Sequence, residues 1–168
     1  PALPKRIVIQ GGGYIALEFA CIFAGLGSDV TVVYRGENIL RGFDDDVRAH
    51  LTEQIQRRGI KVILGCEHEA IEKTPTGLLN KLKTGMEIET DVVMFATGRG
   101  PHIVGLGLEN AGVDLTEGGA IRGDAYSRTT TDNIWAVGDV TDRVNLTPVA
   151  IREAVAFVET ALRGNPSS

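Results

Sequence analysis

Gly11-x-Gly13-x-x-Ala16 stands between a short apolar run, Arg6-Ile-Val-Ile-Gln10, and a longer apolar stretch from Tyr14 to Gly27. Asp29-Val-Thr-Val-Val-Tyr34 follows, rich in β-branched residues. Strand, glycine turn, helix and strand make a βαβ unit, whose strands are parallel and whose crossover is right-handed. The spacing is that of a dinucleotide-binding turn. Its first glycine makes the tight turn, and its second lets a pyrophosphate approach the backbone. Ala16 permits close packing of helix on strand, while the phosphates rest on the helix N-terminus. Glycine turns also end strands for purely structural reasons, but the flanking strand and helix are the confirming context.

The rest of the chain extends this α/β pattern. The stretch after the glycine turn is apolar nearly all round, which predicts a buried helix, with Gly27 placed for a left-handed cap. Asp44 suits the N-cap of a second helix, with Asp45 and Asp46 complementing its dipole. Val47, Leu51 and Ile55 give that helix an apolar face, and Arg57-Arg58-Gly59 closes it. Ile60 to Leu64 reads as a third strand. From Cys66 to Thr90 the runs become short and alternating, broken at Thr74-Pro-Thr-Gly77 and Thr84-Gly85, which predicts an antiparallel meander. Asp91 to Ala96 returns to a buried strand that ends at Thr97-Gly98. Seven of the chain's 21 glycines fall between Gly100 and Gly123, so this segment reads as loop. Ile134-Trp-Ala-Val137 is a further expected strand. A final helix starts at Thr147-Pro148, proline being tolerated at the first helical position, with Val149, Ile151, Ala154, Val155 and Val158 as its packing face. A boundary near residue 98 divides a compact α/β unit from a piece too small to own a core.

Composition closes other routes. Seventeen Lys+Arg against 22 Asp+Glu give a net charge of −5, which argues against a nucleic-acid partner. No apolar run approaches the ~20 residues of a membrane span. The opening Pro1-Ala2-Leu3-Pro4 lacks the basic start and apolar core of a signal peptide. Cys21 and Cys66 form no CxxC, metal pattern or disulfide framework, so a reduced cytoplasmic protein is expected.

The end of the second strand selects the nucleotide. An NAD site places Asp or Glu there for the ribose 2′-hydroxyl. This chain has Tyr34-Arg35, with Arg41 six residues on. A planar, permanently charged guanidinium suits a 2′-phosphate, so NADP(H) is expected over NAD(H). Glu18, the only charge between Tyr14 and Gly27, lies at i+4 from Tyr14 and shares its helix face. It reads either as a contact to the nicotinamide end or as half of an internal ion pair with a core-edge Lys or Arg.

Gly11-Gly-Gly-Tyr-Ile-Ala-Leu-Glu18, Tyr34-Arg35, Leu40-Arg-Gly-Phe-Asp44, Ala96-Thr-Gly-Arg99, Ile134-Trp-Ala-Val-Gly-Asp139 and Leu146-Thr-Pro-Val-Ala-Ile151 occur in that order over nearly the whole chain. Together they resemble the flavoprotein disulfide reductases (pyridine nucleotide-disulfide oxidoreductases). The paired arginines resemble the NADPH-selecting residues of the glutathione reductase type rather than the dihydrolipoamide dehydrogenase type. Trypanothione reductases and other reductases of small disulfides stay open. The resemblance implies that Gly11, Gly13, Tyr14, Ile15 and Glu18 hold NADPH, with Tyr14 as the gate over the nicotinamide pocket. It implies that Arg35 and Arg41 bind the 2′-phosphate and that Gly98 offers a backbone contact to NADPH. Asp139 matches the carboxylate on the ribityl chain of FAD, and Thr147 a backbone donor to the flavin ring.

That family also carries an N-terminal glycine motif for the FAD adenosine, a Cys-x4-Cys pair and a C-terminal His-Glu pair, none of which occurs in this sequence. His50, His68 and His102 match no part of them and read as solvated helix or loop positions. Gln10 replaces the usual apolar residue at its strand end. The resemblance therefore implies a central segment: residues 1–98 an NADPH-binding Rossmann-like domain, residues 99–168 the C-terminal half of an FAD-binding domain. The expected whole is an NADPH- and FAD-dependent reductase of a small-molecule disulfide such as glutathione disulfide, homodimeric at full length. No catalytic or metal-ligating residue is expected in this segment, which alone should be inactive and prone to self-association. The competing expectation is a stand-alone NADPH-binding module without catalysis.

Overall fold

Strand β1 (Arg6–Gln10) opens the fold in a computed structural model that describes residues 2–168. Pro1, the first residue of the opening that argues against a signal peptide, lies outside the described residues. Helix α1 (Tyr14–Gly25) leads from β1 to β2 (Asp29–Val33), which pairs with it in parallel from Arg6 against Asp29 to Gln10 against Val33. Helix α2 (Asp45–Arg57) leads on to β3 (Lys61–Ile63), parallel to β2. Asp44 caps α2 by accepting from the backbone N–H of Asp46 (3.0 Å) and Val47 (3.3 Å). The chain then builds the antiparallel sheet β4 (His68–Thr74), β5 (Gly77–Leu82) and β6 (Glu87–Thr90). Strand β7 (Val92–Phe95) returns to the far side of β1, giving a parallel sheet of order β3-β2-β1-β7. This is the expected α/β class.

The period of two along β1 divides the core. Ile7 and Ile9 pack with Ala16, Leu17 and Ala20 of α1 and with Ile55 of α2. Val8 packs with Val33, Cys66 and Leu82 on the meander side. One strand thus serves two apolar layers, and a slip of one residue would exchange them. At its start, the Arg6 guanidinium bonds Asp91 (2.8 Å) and Glu89 (3.1 Å). The hydrogen bond from Arg6 holds the Asp91 carboxyl below the ordinary carboxylate range.

Contacts divide the chain into one unit ending at Gly98 and a second, Arg99–Ser168. The second unit has a small core of its own, contrary to expectation: Val113, Ile121 and Ala136, flanked by Ile103, Leu108, Ile134 and Val140. Among the described residues no helix is long and apolar enough to cross a membrane.

Four expectations need correction. Strand β7, expected to be buried, exposes Val92 and Phe95, because it forms the edge of the parallel sheet. Helix α1 buries only Ala16, Leu17 and Ala20, while Phe19, Ile22 and Leu26 are exposed. Its own unit packs on one face of it, so high apolarity all round does not translate into burial all round. Ile134 to Val137 is no strand: a single bridge joins Arg128 and Trp135. The pairing cannot continue, because Ser127 (φ 70°) turns one side and Gly138 (φ 74°) starts a 3-10 turn on the other. Helix α3 (Thr147–Phe157) exposes Ile151, Ala154 and Val155 instead of packing through them. Its packed side carries Ala150 beside Gly138, Glu153 accepting from the Gly138 N–H (2.6 Å), and Phe157 edge-on to Trp135 (5.3 Å). A glycine, a carboxylate and an aromatic define that side, so an aliphatic stripe misleads. A π turn over Val158–Leu162, which the sequence did not announce, extends the helix.

Candidate functional site

In a parallel sheet, ligands bind outside the carboxyl ends of the strands, where the strand order reverses. Here that switch lies at β1, with β2 on one side and β7 on the other. Gly11, Gly13, Tyr34, Arg35 and Gly98 all follow the carboxyl ends of these three strands.

The two motif glycines have different duties. Gly11 (φ 144°) donates to Val33 O (2.9 Å), and a Cβ on it would stand 2.4 Å from Ala96 O of the chain leaving β7. A Cβ on Gly13 would meet nothing within 4 Å. Gly13 is the N-cap of α1 and makes no side-chain cap, so the open helix start faces free space. Oriented N–H groups and the helix dipole make such a start a place for anions. Tyr14 and Glu18 are both exposed on α1, and Ile15 is half-buried. No ion pair of Glu18 occurs among the described residues, so the internal-pair alternative is not what the structure contains.

Arg35 and Arg41 are exposed, on a loop that is fixed at several points. Leu40, in the left-handed region (φ 51°), donates its N–H to Gly12 O (2.7 Å). Arg48 of α2 donates to Ile39 O (2.8 Å) and Asn38 O (3.2 Å). The Tyr34 ring lies between two glycines: a Cβ on Gly12 would stand 2.5 Å from it, and one on Gly36 2.6 Å. Tyr34 and Leu40 thus tie the arginine loop to the glycine loop, and Arg48 pins it to α2. Tyr34 and Leu40 stand in the sequence motifs without this role and Arg48 stands outside them, although Gly12 and Gly36 around a tyrosine were a readable hint of close approach.

Glu67 borders Arg35. The hydrogen bond from Lys83 (2.8 Å) holds its carboxyl below the usual range, aided by the charges of Lys83 and Arg35. His68 also departs from expectation. It lies on β4, half-buried, with Nδ1 against Gln10 Oε1, Nε2 3.0 Å from Asn80 Oδ1, and its ring 5.9 Å from that of Phe95. Burial pushes its pKa down, outweighing the Asn80 hydrogen bond. Gln10 is therefore no misfit at a strand end; it is the buried partner of His68. His50 and His102 are exposed.

In the second unit, Asp139 pairs with Arg99, Nη2 at 3.0 Å. Thr147 begins α3 without a side-chain cap and with proline next to it, leaving the helix start open. Asn145, just before it, donates to Asp142 (2.8 Å) and keeps its Oδ1 buried without a partner among the described residues. Carboxylate, open helix start and orphaned acceptor are compatible with the ribityl and ring end of a flavin; nothing comparable in this unit suits the adenosine end. The free cysteines Cys21 and Cys66 flank opposite faces of the parallel sheet. No cluster of metal-ligating groups occurs among the described residues.

A family model described as pyridine nucleotide-disulphide oxidoreductase matches residues 1–154. Glutathione reductase of Burkholderia cepacia is 52% identical over 164 residues, which are 98% of this chain and 36% of that protein. Trypanothione reductase of Trypanosoma congolense is 43% identical over 167 residues, 97% of this chain and 34% of that protein. The chain spans about a third of the length of the curated relatives it matches. Among solved structures, the HOCl-induced flavoprotein disulfide reductase RclA of Escherichia coli superposes with a TM-score of 0.91 at 32% identity, over 99% of this chain and 38% of that one. An engineered water-forming NADPH oxidase bound to NADPH superposes with a TM-score of 0.84 at 29% identity, over 98% and 38%. That oxidase carries one glycine-to-alanine substitution, then four more that replace Asp, Ala, Met and Pro by Ala, Arg, Ser and Arg.

Proposed function

The chain belongs to the pyridine nucleotide-disulphide oxidoreductase family, and from that membership we propose that residues 1–98 bind NADPH within a disulfide reductase of the glutathione reductase type. The observation that carries this reading is the pair Arg35 and Arg41, exposed on a loop hydrogen-bonded to the glycine turn. In the NADPH-bound oxidase the two introduced arginines stand six positions apart, as Arg35 and Arg41 do, with the introduced alanine at the spacing of Ala16. The lost aspartate there precedes the first arginine, where this chain has Tyr34.

The chain's own residues take simple roles. The open start of α1 at Gly13 receives the pyrophosphate, with Gly11 keeping the turn tight enough for β7 to pass. Arg35 and Arg41 take the 2′-phosphate. Tyr14, Ile15 and Glu18 line the nicotinamide end, and Gly98 borders it from β7. In residues 99–168, Asp139 and the open start of α3 at Thr147 would hold the ribityl and ring end of FAD. A helix N-terminus there stabilises negative charge on a reduced ring. When bound, FAD supplies the two-electron relay between the nicotinamide and a small disulfide such as glutathione disulfide. That whole reaction belongs to a protein about three times this length.

Each arginine contributes roughly 1.5–3 kcal/mol through charge-assisted bonds to the phosphate, about one to two powers of ten in affinity. Exposure and salt trim this, which places the NADPH preference in the lower half of that range. Titrating the chain with NADPH and NADH tests it: tighter NADPH binding that fades at high ionic strength is expected, and equal affinities would overturn the reading.

A further inference from the structure

The turn from β3 to β4 runs beside the arginine loop. Cys66 donates its N–H to Tyr34 O (3.0 Å), and Gly65 donates to Gly36 O (3.0 Å). Arg35 therefore lies between two residues bonded to this turn, with Glu67 next along it. A carboxylate in that position is the natural partner of the Arg35 guanidinium. It is engaged elsewhere: Lys83 Nζ meets Glu67 Oε2 at 2.8 Å, and the Lys83 N–H donates to Glu67 O at 3.0 Å. Arg35 and Arg41 have no ion-pair partner among the described residues. Buried Cys66 anchors the turn, and Glu69 is the other carboxylate whose charge reaches Lys83.

We propose that Lys83 and Glu67 are specificity-determining residues of the NADPH site: Lys83 occupies the Glu67 carboxylate, and so keeps the Arg35 guanidinium free for a 2′-phosphate. The inference rests on the NADPH reading above. Neither residue touches the nucleotide; both act through Arg35. Without Lys83, Glu67 would capture Arg35 and set an unneutralised negative charge beside a phosphate that carries between one and two of its own. NADH carries only an uncharged 2′-hydroxyl at that position and is indifferent to the change of charge.

The test is a double-mutant cycle on the full chain, titrated with both nucleotides. Lys83→Met is expected to weaken NADPH binding by roughly three- to tenfold, the scale of exposed charge pairs acting on a multiply charged phosphate, and to leave NADH binding alone. Adding Glu67→Gln to Lys83→Met is expected to restore NADPH binding, and Glu67→Gln alone to preserve it. A purely structural role would weaken both nucleotides together, without rescue, and would overturn the proposal. So would an unchanged NADPH-to-NADH ratio in Lys83→Met when the unmodified chain prefers NADPH. Equal affinities in the unmodified chain would instead sink the NADPH reading, and this inference with it.

Discussion

Gly11 and Gly13 belong to one motif, yet the structure gives them separable roles. A side chain at position 11 would collide with Ala96 O and impose a strained φ, whereas position 13 opens onto free space. Gly11→Ala is therefore expected to cost about 1–3 kcal/mol of stability, the usual scale of such backbone strain, and to weaken NADPH binding with it. Gly13→Ala should leave stability within about 1 kcal/mol while obstructing the approach of the pyrophosphate. Urea unfolding with parallel NADPH titration checks both; equal loss of stability in the two variants would contradict the division. The motif was legible from spacing alone, because strand, turn and helix each have a local signature. The division of labour was not, since Ala96 lies 85 residues from Gly11 and only the parallel β1–β7 pairing brings them together. The packing of Tyr34 was legible only as a hint, because Gly12 and Gly36 matter through the ring lodged between them.

The meander carries a titratable joint that the pattern of β4 conceals. His68 reads from sequence as a solvated helix or loop position, yet it lies on β4 and reaches across to Gln10 at the end of β1. Burial depresses its pKa below the ordinary 6.5. The sign follows: the unfolded chain takes up a proton near pH 6.5, the folded chain only at lower pH. Stability held above pH 6.5 therefore drains as the pH falls from there through the depressed value. Thermal unfolding midpoints should drop between about pH 7.5 and 5.5, and drop less in His68→Gln. Equal drops in the two proteins would show that His68 is not the group responsible. Parallel strands, meander and α2 were all readable because their apolar periods are regular. The Ile134–Val137 segment was misread because strand composition there is overruled by the turns at Ser127 and Gly138.

Both units leave apolar side chains in water. Phe19 and Ile22 project from α1 and Leu26 from its C-cap, and Ile151, Val155 and Leu162 from the C-terminal helix and its π turn. Contiguous apolar surface of this kind drives association, so the 168-residue chain on its own is expected to elute as oligomers in gel filtration, colourless or nearly so. Cys21 and Cys66, on opposite faces of the sheet, cannot form a redox disulfide, so turnover of glutathione disulfide by this chain alone is not expected. A yellow monomer with stoichiometric FAD would contradict the first expectation. Charge reversal at Arg35 probes the choice of nucleotide. Arg35→Glu sets a carboxylate against the 2′-phosphate and offers an acceptor to the ribose hydroxyl of NADH. Titration of the unmodified chain and this variant with both nucleotides should show a preference for NADPH that collapses or inverts in Arg35→Glu. An NADPH-to-NADH ratio unchanged by the substitution would contradict the account.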